Sequence, residues 1–289
     1  MDLIWQKFTD WLKELLVGGI MDHLTGLFDT VNTRVGEIAG QVGATPQGFN
    51  SGIYNMIRSL SDNVILPIAG VILAIVMTME LIQLITDKNN LNDVDTWMFF
   101  KWIFKTACAV LIVTNTWTIV MGIFDVAQSV VNNASGVIVG NINIDLAGNI
   151  ADLEARLMEM EVWSLLGLWL ESGIVHITMW ALNICIFIIV YGRMIEIYIV
   201  TSVAPIPMAT AVNREWGQMG QNYLRSLFAL AFQGFMIIVC VAIYAVLVQN
   251  MLVDTNISAA MWSCMGYTVL LCFTLFKTGS LAKSIFNAH

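Results

Sequence analysis

A chain of 289 residues in which only 12% are charged and 58% are hydrophobic holds half the charge of a soluble domain, where about 25% is usual. That deficit excludes a water-soluble globular fold. The net charge of −8, with 13 scattered Lys and Arg, excludes a nucleic-acid surface, because phosphate binding needs clustered basic residues. What remains is an all-α, polytopic helical membrane protein. The length suits about five spans of roughly 20 residues, with an amphipathic helix ahead of them.

Residues 1–35 hold that first helix. Ile4, Phe8, Trp11, Leu12, Leu15 and Leu16 recur at helical spacing, while Asp2, Lys7, Asp10, Lys13 and Glu14 fall largely elsewhere. Five charges forbid spanning, so the helix is expected to lie on a membrane surface or pack on a partner. They also leave no clean apolar core for a cleavable signal peptide. Residues 36–63 read as a Gly-rich linker and lead-in, with Gly36, Gly40, Gly43, Gly48, Gly52 and Pro46.

Five apolar segments follow. The first, 64–85, is interrupted only by Glu80, and the second, 103–124, is free of charge; together 64–124 holds the first two transmembrane helices. An acidic extracytoplasmic loop is expected over 125–173. Three further spans fill 174–276: about 174–200, 226–248 and 257–276, with a Pro-broken inner segment at 203–225. A tail, 277–289, closes the chain. At 1.5 Å per residue each span is long enough for about 30 Å of hydrocarbon.

Orientation follows from where Lys and Arg sit. Lys88, Lys101 and Lys105 follow the first span; Arg193, Arg214 and Arg225 separate the third from the fourth; Lys277 and Lys283 end the chain. The loop after the second span has Arg156 alone against Asp125, Asp145, Asp152, Glu154, Glu159, Glu161 and Glu171. This bias predicts the N-terminus outside and the C-terminus inside, although Lys7, Lys13, Arg34 and Arg58 run against it. Trp97, Trp102, Trp163, Trp169 and Trp262 fall near span ends, as interfacial tryptophans do, whereas Trp117 and Trp180 fall inside and are expected to pack.

The most informative stretch runs from Tyr191 to Gln233. Arg193 and Glu196 lie three apart on one helical face and can pair. Charges at membrane depth are expensive and tend to face a bundle interior or an aqueous cavity. Pro205 and Pro207 then remove two backbone donors within three residues. Two readings stay open: a pore-lining or gating elbow, and an ordinary helix end with a structural ion pair.

The ordered set Arg193, Glu196, Ala204, Pro205, Ile206, Met219, Gly220, Asn222, Tyr223 and Gln233 resembles the TrbL-like family, polytopic inner-membrane components of conjugative type IV secretion systems. The resemblance covers roughly the last 130 residues, and the N-terminal part only in layout. The composition and short termini resemble versions from Gram-positive mobile elements. The resemblance implies a channel or scaffold subunit with no catalytic residues and no cofactor, homo-oligomeric in the lipid bilayer. It would work with a transfer ATPase and other type IV secretion membrane subunits while single-stranded DNA with attached relaxase passes.

Glu80, Gln83, Thr106, Asn115, Thr116, His176, Asn183 and Gln233 lie in or at the edge of spans, placed to hydrogen-bond between helices or to line water. Among the glycines, Gly18, Gly19, Gly70 and Gly122 allow close helix approach or mark helix ends. Enzyme motifs such as HExxH, GxxxxGK[ST] and GxSxG are absent. The three histidines are too far apart in sequence for a local metal motif, and Cys108, Cys185, Cys240, Cys264 and Cys272 sit in apolar stretches without ligand spacing. Two other functions fit this inventory. One is a small-molecule transporter or ion channel, although only one helix break appears where paired breaks are usual; the other is a non-conducting assembly platform.

Overall fold

The computed structural model describes residues 2–86, 96–139, 153–213, 215–251 and 256–288, and among these every regular element is helical. Lys88, Asp145, Asp152, Arg214 and His289 lie outside the described residues. Five stretches are long and apolar enough to cross a membrane: Ser51–Thr86, Thr96–Thr114, Val162–Ser202, Gly217–Gln249 and Ile257–Ile285. The expected number is met, with shifted boundaries.

Helix α1 (Asp2–Val42) runs through Gly36 and Gly40, where a linker was expected. The break comes at residues 43–45. Burial of Ile38 and Val42 outweighs about 1 kcal/mol of lost helix propensity per glycine. The Thr45 hydroxyl accepts the Gly48 N–H and Pro46 takes the first position of the short α2 (Pro46–Phe49). Asn50 caps α3 (Ser51–Leu60) in the same way through the Ile53 N–H. The apolar face of α1 also differs from expectation. Leu16, Val17, Ile20, Leu24 and Leu27 are buried, while Phe8, Trp11 and Leu15 are exposed.

The helix of α3 continues through a π-turn (Ser61–Ile65) into α4 (Leu66–Thr86). Pro67 explains the π-turn. A proline cannot donate to the carbonyl four residues back and its ring clashes there; widening the preceding turn, with the Leu66 N–H on the Ser61 carbonyl, relieves the clash.

The expected second span is divided between α5 (Thr96–Thr114) and α6 (Thr116–Val139). Thr114, Asn115 and Thr116 each bond a carbonyl one turn back: Val110, Leu111 and Ile112, at 2.8, 2.9 and 3.0 Å. The backbone ladder runs on through this point, with the Asn115 N–H on the Leu111 carbonyl at 3.1 Å and the Ile119 N–H on the Asn115 carbonyl at 3.0 Å, so the side chains share their carbonyls with it. Helix α6 also occupies the first part of the expected acidic loop. Helix α7 (Val162–Ser202), 41 residues long, takes up the loop's last part. There follow α8 (Pro205–Thr210), α9 (Gly217–Met251) and α10 (Ile257–Ile285).

The chain divides into two compact units. The first comprises Met1–Val42, Asn132–Val190 and Met236–Lys277. Here Tyr244 and Thr268 join α9 to α10 through their hydroxyls at 2.8 Å, and the Ser258 hydroxyl donates to Glu171 at 2.6 Å. The second comprises Gly43–Val131, Tyr191–Phe235 and Thr278–His289. One of its cores joins Tyr54, Trp117, Phe124, Met194, Tyr198 and Leu230; another joins Leu73, Met77, Ala109, Val113 and Ala209 of α4, α5 and α8.

Candidate functional site

The Pro-broken segment forms where expected. The backbone turns at 203–204, makes α8, turns again and enters α9 at Gly217. Pro205 at the first helical position lacks a donor the helix would not use. Pro205, Pro207, Met208, Ala209 and Thr210 are all buried, so α8 is a packed plug of the second unit rather than a surface turn. The Thr210 hydroxyl donates to the Pro207 carbonyl at 2.8 Å. The Asn213 side-chain oxygen accepts the backbone N–H groups of Glu215 and Trp216 at 2.8 and 2.9 Å, closing the turn into α9.

Gly220 lets α9 approach this elbow. A Cβ there would lie 2.4 Å from the Ala211 Cβ, 2.5 Å from its Cα and 2.7 Å from the Pro207 carbonyl oxygen. The Tyr223 hydroxyl, one turn on, donates to the Val200 carbonyl at 3.0 Å and ties α9 to the end of α7.

Above the elbow in the same unit sits Arg193, 5% exposed on a membrane-crossing helix. Its Nε is buried with no hydrogen-bond partner. The guanidinium seats against Gly234, where a Cβ would come within 2.7 Å of Nη2. The ion pair expected with Glu196 is replaced. Glu196 is half-exposed and meets Lys283 at 3.5 Å, in an exposed pair of the kind worth about 0–1 kcal/mol. The reason is geometric: Arg193 points into the α7–α9 contact, and Glu196 lies on a more open part of α7. Gln233, next to Gly234, donates to the Thr278 hydroxyl at 3.3 Å. A buried cation with an unsatisfied donor costs several kcal/mol and is kept at membrane depth mainly at functional sites.

The family of TrbL/VirB6 plasmid conjugal transfer like proteins matches residues 31–205, well over half of the chain. This chain belongs to that family. The TrbL/VirB6-like protein is therefore a multi-pass component of conjugal transfer in the bacterial cell membrane. No curated protein and no solved structure matches it. Of the ten residues that carry the sequence resemblance, Arg193, Glu196, Ala204 and Pro205 fall inside the matched region; the match extends toward the N-terminus, where only the layout was expected to agree.

The remaining polar candidates of this TrbL/VirB6-like chain separate. Glu80 of α4 forms an ion pair with Lys105 of α5, its second carboxylate oxygen buried without a partner. Beside them the Trp102 ring N–H donates to the Met77 carbonyl at 3.1 Å. Asn115 is spent on its own helix. In the first unit His176 and Asn183 line one cavity of about 360 Å³ with Leu27, Met179, Trp180, Ile184 and Phe187. Trp180, expected to pack, is exposed there, whereas Trp117 packs and donates to the Tyr54 hydroxyl at 3.0 Å.

The sequence missed one pairing outright. His23 and His176 stack with ring centroids 5.3 Å apart, and His23 Nδ1 lies 2.9 Å from the Ser172 hydroxyl. That hydroxyl gives its proton to the Trp169 carbonyl, so Nδ1 is the donor and carries the ring proton. Nothing local signals a contact between helices 149 residues apart. Gly234 and Thr278 were missed for the same reason. Gly19 does allow a close approach, 2.6 Å between a Cβ and the Trp169 ring nitrogen; Gly18, Gly70 and Gly122 have nothing within 4 Å.

Proposed function

We propose that this protein is a channel or scaffold subunit of a conjugative type IV secretion system. It helps single-stranded DNA with its attached relaxase cross the cytoplasmic membrane, and has no catalytic residues of its own. Energy comes from a transfer ATPase docked with neighbouring membrane subunits; the N-terminus lies outside and the C-terminus inside. Family membership supports the setting. The observation that carries the reading is Arg193, buried in a membrane helix with an unsatisfied Nε. Stability alone does not favour such a group, since a hydrophobic residue of similar volume is often neutral or stabilising.

The test is Arg193→Met. The variant is expected to insert and to melt at or above the wild-type temperature in detergent, while conjugal transfer falls about tenfold or more, as loss of a functional intramembrane charge would bring. Unchanged transfer would remove the functional role. A non-conducting platform is the second reading. It is favoured by Gln233 and Glu80, both engaged in contacts between helices. Cysteine labelling at Asn183, which lines a cavity, separates the two, because only a water-lined conduit leaves it reactive in the assembled complex, whereas Thr201 and Gln233 are buried within the chain itself.

A further inference from the structure

Within the second unit, α6, α9 and the end of α10 enclose an apolar cleft. Ile119, Val126 and Val130 of α6 form one wall. The other wall is aromatic, with Phe228, Phe232 and Phe235 of α9 beside Phe286 of α10. Phe286 stacks on Phe228 with ring centroids 6.3 Å apart and meets Phe232 edge-on at 5.6 Å, so these rings make one connected surface. Gly122 and Ala231 lie between the walls, and a Cβ at Gly122 would meet nothing within 4 Å. Small residues thus leave open a gap that longer side chains would close. The rim is open too, since Val126 and Phe228 are exposed.

Size and charge select the occupant. The cleft holds about 370 Å³, spread over the ~16 Å that residues 119–130 cover at 1.5 Å per residue, which leaves a cross-section of ~23 Å². A helix about 10 Å across needs ~80 Å² and cannot enter. A hydrocarbon chain, whose packed neighbours sit about 4 Å away, can. It would exchange fluid lipid neighbours for close-packed side chains, so the attraction is packing rather than the hydrophobic effect. Arg225 stands one turn before Phe228 on the same face of α9, just ahead of the apolar run 226–248. It is exposed and makes no ion pair among the described residues. Basic side chains at span ends sit at headgroup level, where they attract anionic lipid. Lys283, one turn before Phe286, adds a cation shared with Glu196 at 3.5 Å. Asp125, the carboxylate on this stretch of α6, lies one residue, about 100°, off the face that Val126 turns to the cleft.

We propose that this cleft binds an anionic phospholipid, with one acyl chain along the Phe228–Phe235 face and the phosphate on Arg225. The site goes beyond the transfer reading and is independent of the cargo and of the orientation in the membrane. A seated chain joins α6 to α9 and α10 where their own side chains leave a gap.

The experiment places the full-length protein in nanodiscs of phosphatidylcholine with a small fraction of phosphatidylglycerol that carries a diazirine on one acyl chain. After irradiation, labelled positions are mapped by mass spectrometry. Labelling is expected to concentrate at 119–130 and 228–235, and to be displaced by unlabelled phosphatidylglycerol more readily than by phosphatidylcholine. Arg225→Gln is expected to weaken that preference about fivefold, the value of one basic side chain against anionic lipid. Val126→Trp fills the cleft from an exposed position and is expected to abolish labelling there; Arg225→Gln, a surface change, keeps the test open should Val126→Trp misfold. Labelling spread evenly over exposed apolar positions such as Ile177 and Ile188 overturns the site. Equal displacement by the two lipids overturns the phosphate contact, and so does an undiminished preference in Arg225→Gln. A Val126→Cys disulfide between copies, with the cleft unlabelled, gives the cleft to a second copy and overturns the lipid.

Discussion

Gly220→Ala tests whether the elbow is a packed plug. The new methyl carbon would sit 2.4 and 2.5 Å from two Ala211 carbons and 2.7 Å from the Pro207 carbonyl oxygen, and two of these three atoms belong to the backbone. No rotamer change relieves such a clash; α8 or the first turns of α9 must move. Overpacking of this kind costs about 1–3 kcal/mol, against a gain of about 0.5–1 kcal/mol from replacing a helical glycine by alanine. The balance is a loss of order 1–2 kcal/mol. Gly266→Ala is the matched control, since a Cβ at Gly266 in α10 meets nothing within 4 Å and only the gain of about 0.5–1 kcal/mol remains. Thermal unfolding of the detergent-solubilised protein, followed by near-ultraviolet circular dichroism, is expected to show Gly220→Ala melting below wild type and Gly266→Ala at or above it. Equal stabilisation by both would refute the close packing of α9 on the elbow.

Three further outcomes follow from named contacts. Lys105→Met leaves the Glu80 carboxylate without its cation beside an oxygen already lacking a partner, so it is expected to destabilise more than the double change Glu80→Gln with Lys105→Met; a double-mutant cycle in detergent measures the coupling. Tyr198→Phe removes the 2.6 Å bond to the Pro46 carbonyl and should cost about 1 kcal/mol, read as faster hydrogen exchange over residues 46–54; unchanged exchange would mean that the hydroxyl does not hold the turn. A tag after His289 is expected to stay protected from external protease in intact cells while one within 140–150 is cut, and the reverse pattern would invert the orientation taken from the Lys and Arg bias.

Glycine and proline illustrate the limits of local reading. Pro205 and Pro207 break the chain at the expected place because proline's missing donor and fixed φ act on their own backbone. Gly36 and Gly40 were expected to unravel α1, and they do not, because Ile38 and Val42 are buried around them; a weak propensity yields to packing. The three polar residues at 114–116, where α5 gives way to α6, bond to carbonyls one turn back, a local effect that hydropathy does not register. The candidate site is mixed. Arg193 stood out as a charge in an apolar run, but Glu196 as its partner was an inference from spacing alone, and the structure gives that carboxylate to Lys283, 87 residues away.

The sequence by itself determined that lipid is the solvent, how many apolar crossings there are and where the Pro-rich elbow falls, since each of these depends on the composition or backbone chemistry of a short window. Tertiary structure alone decided which face of α1 is covered, that Gly234 makes room for the Arg193 guanidinium, and that His23 stacks on His176. Those outcomes depend on which helices pack together and at what height, and residues scores of positions apart leave no mark of that in any local pattern.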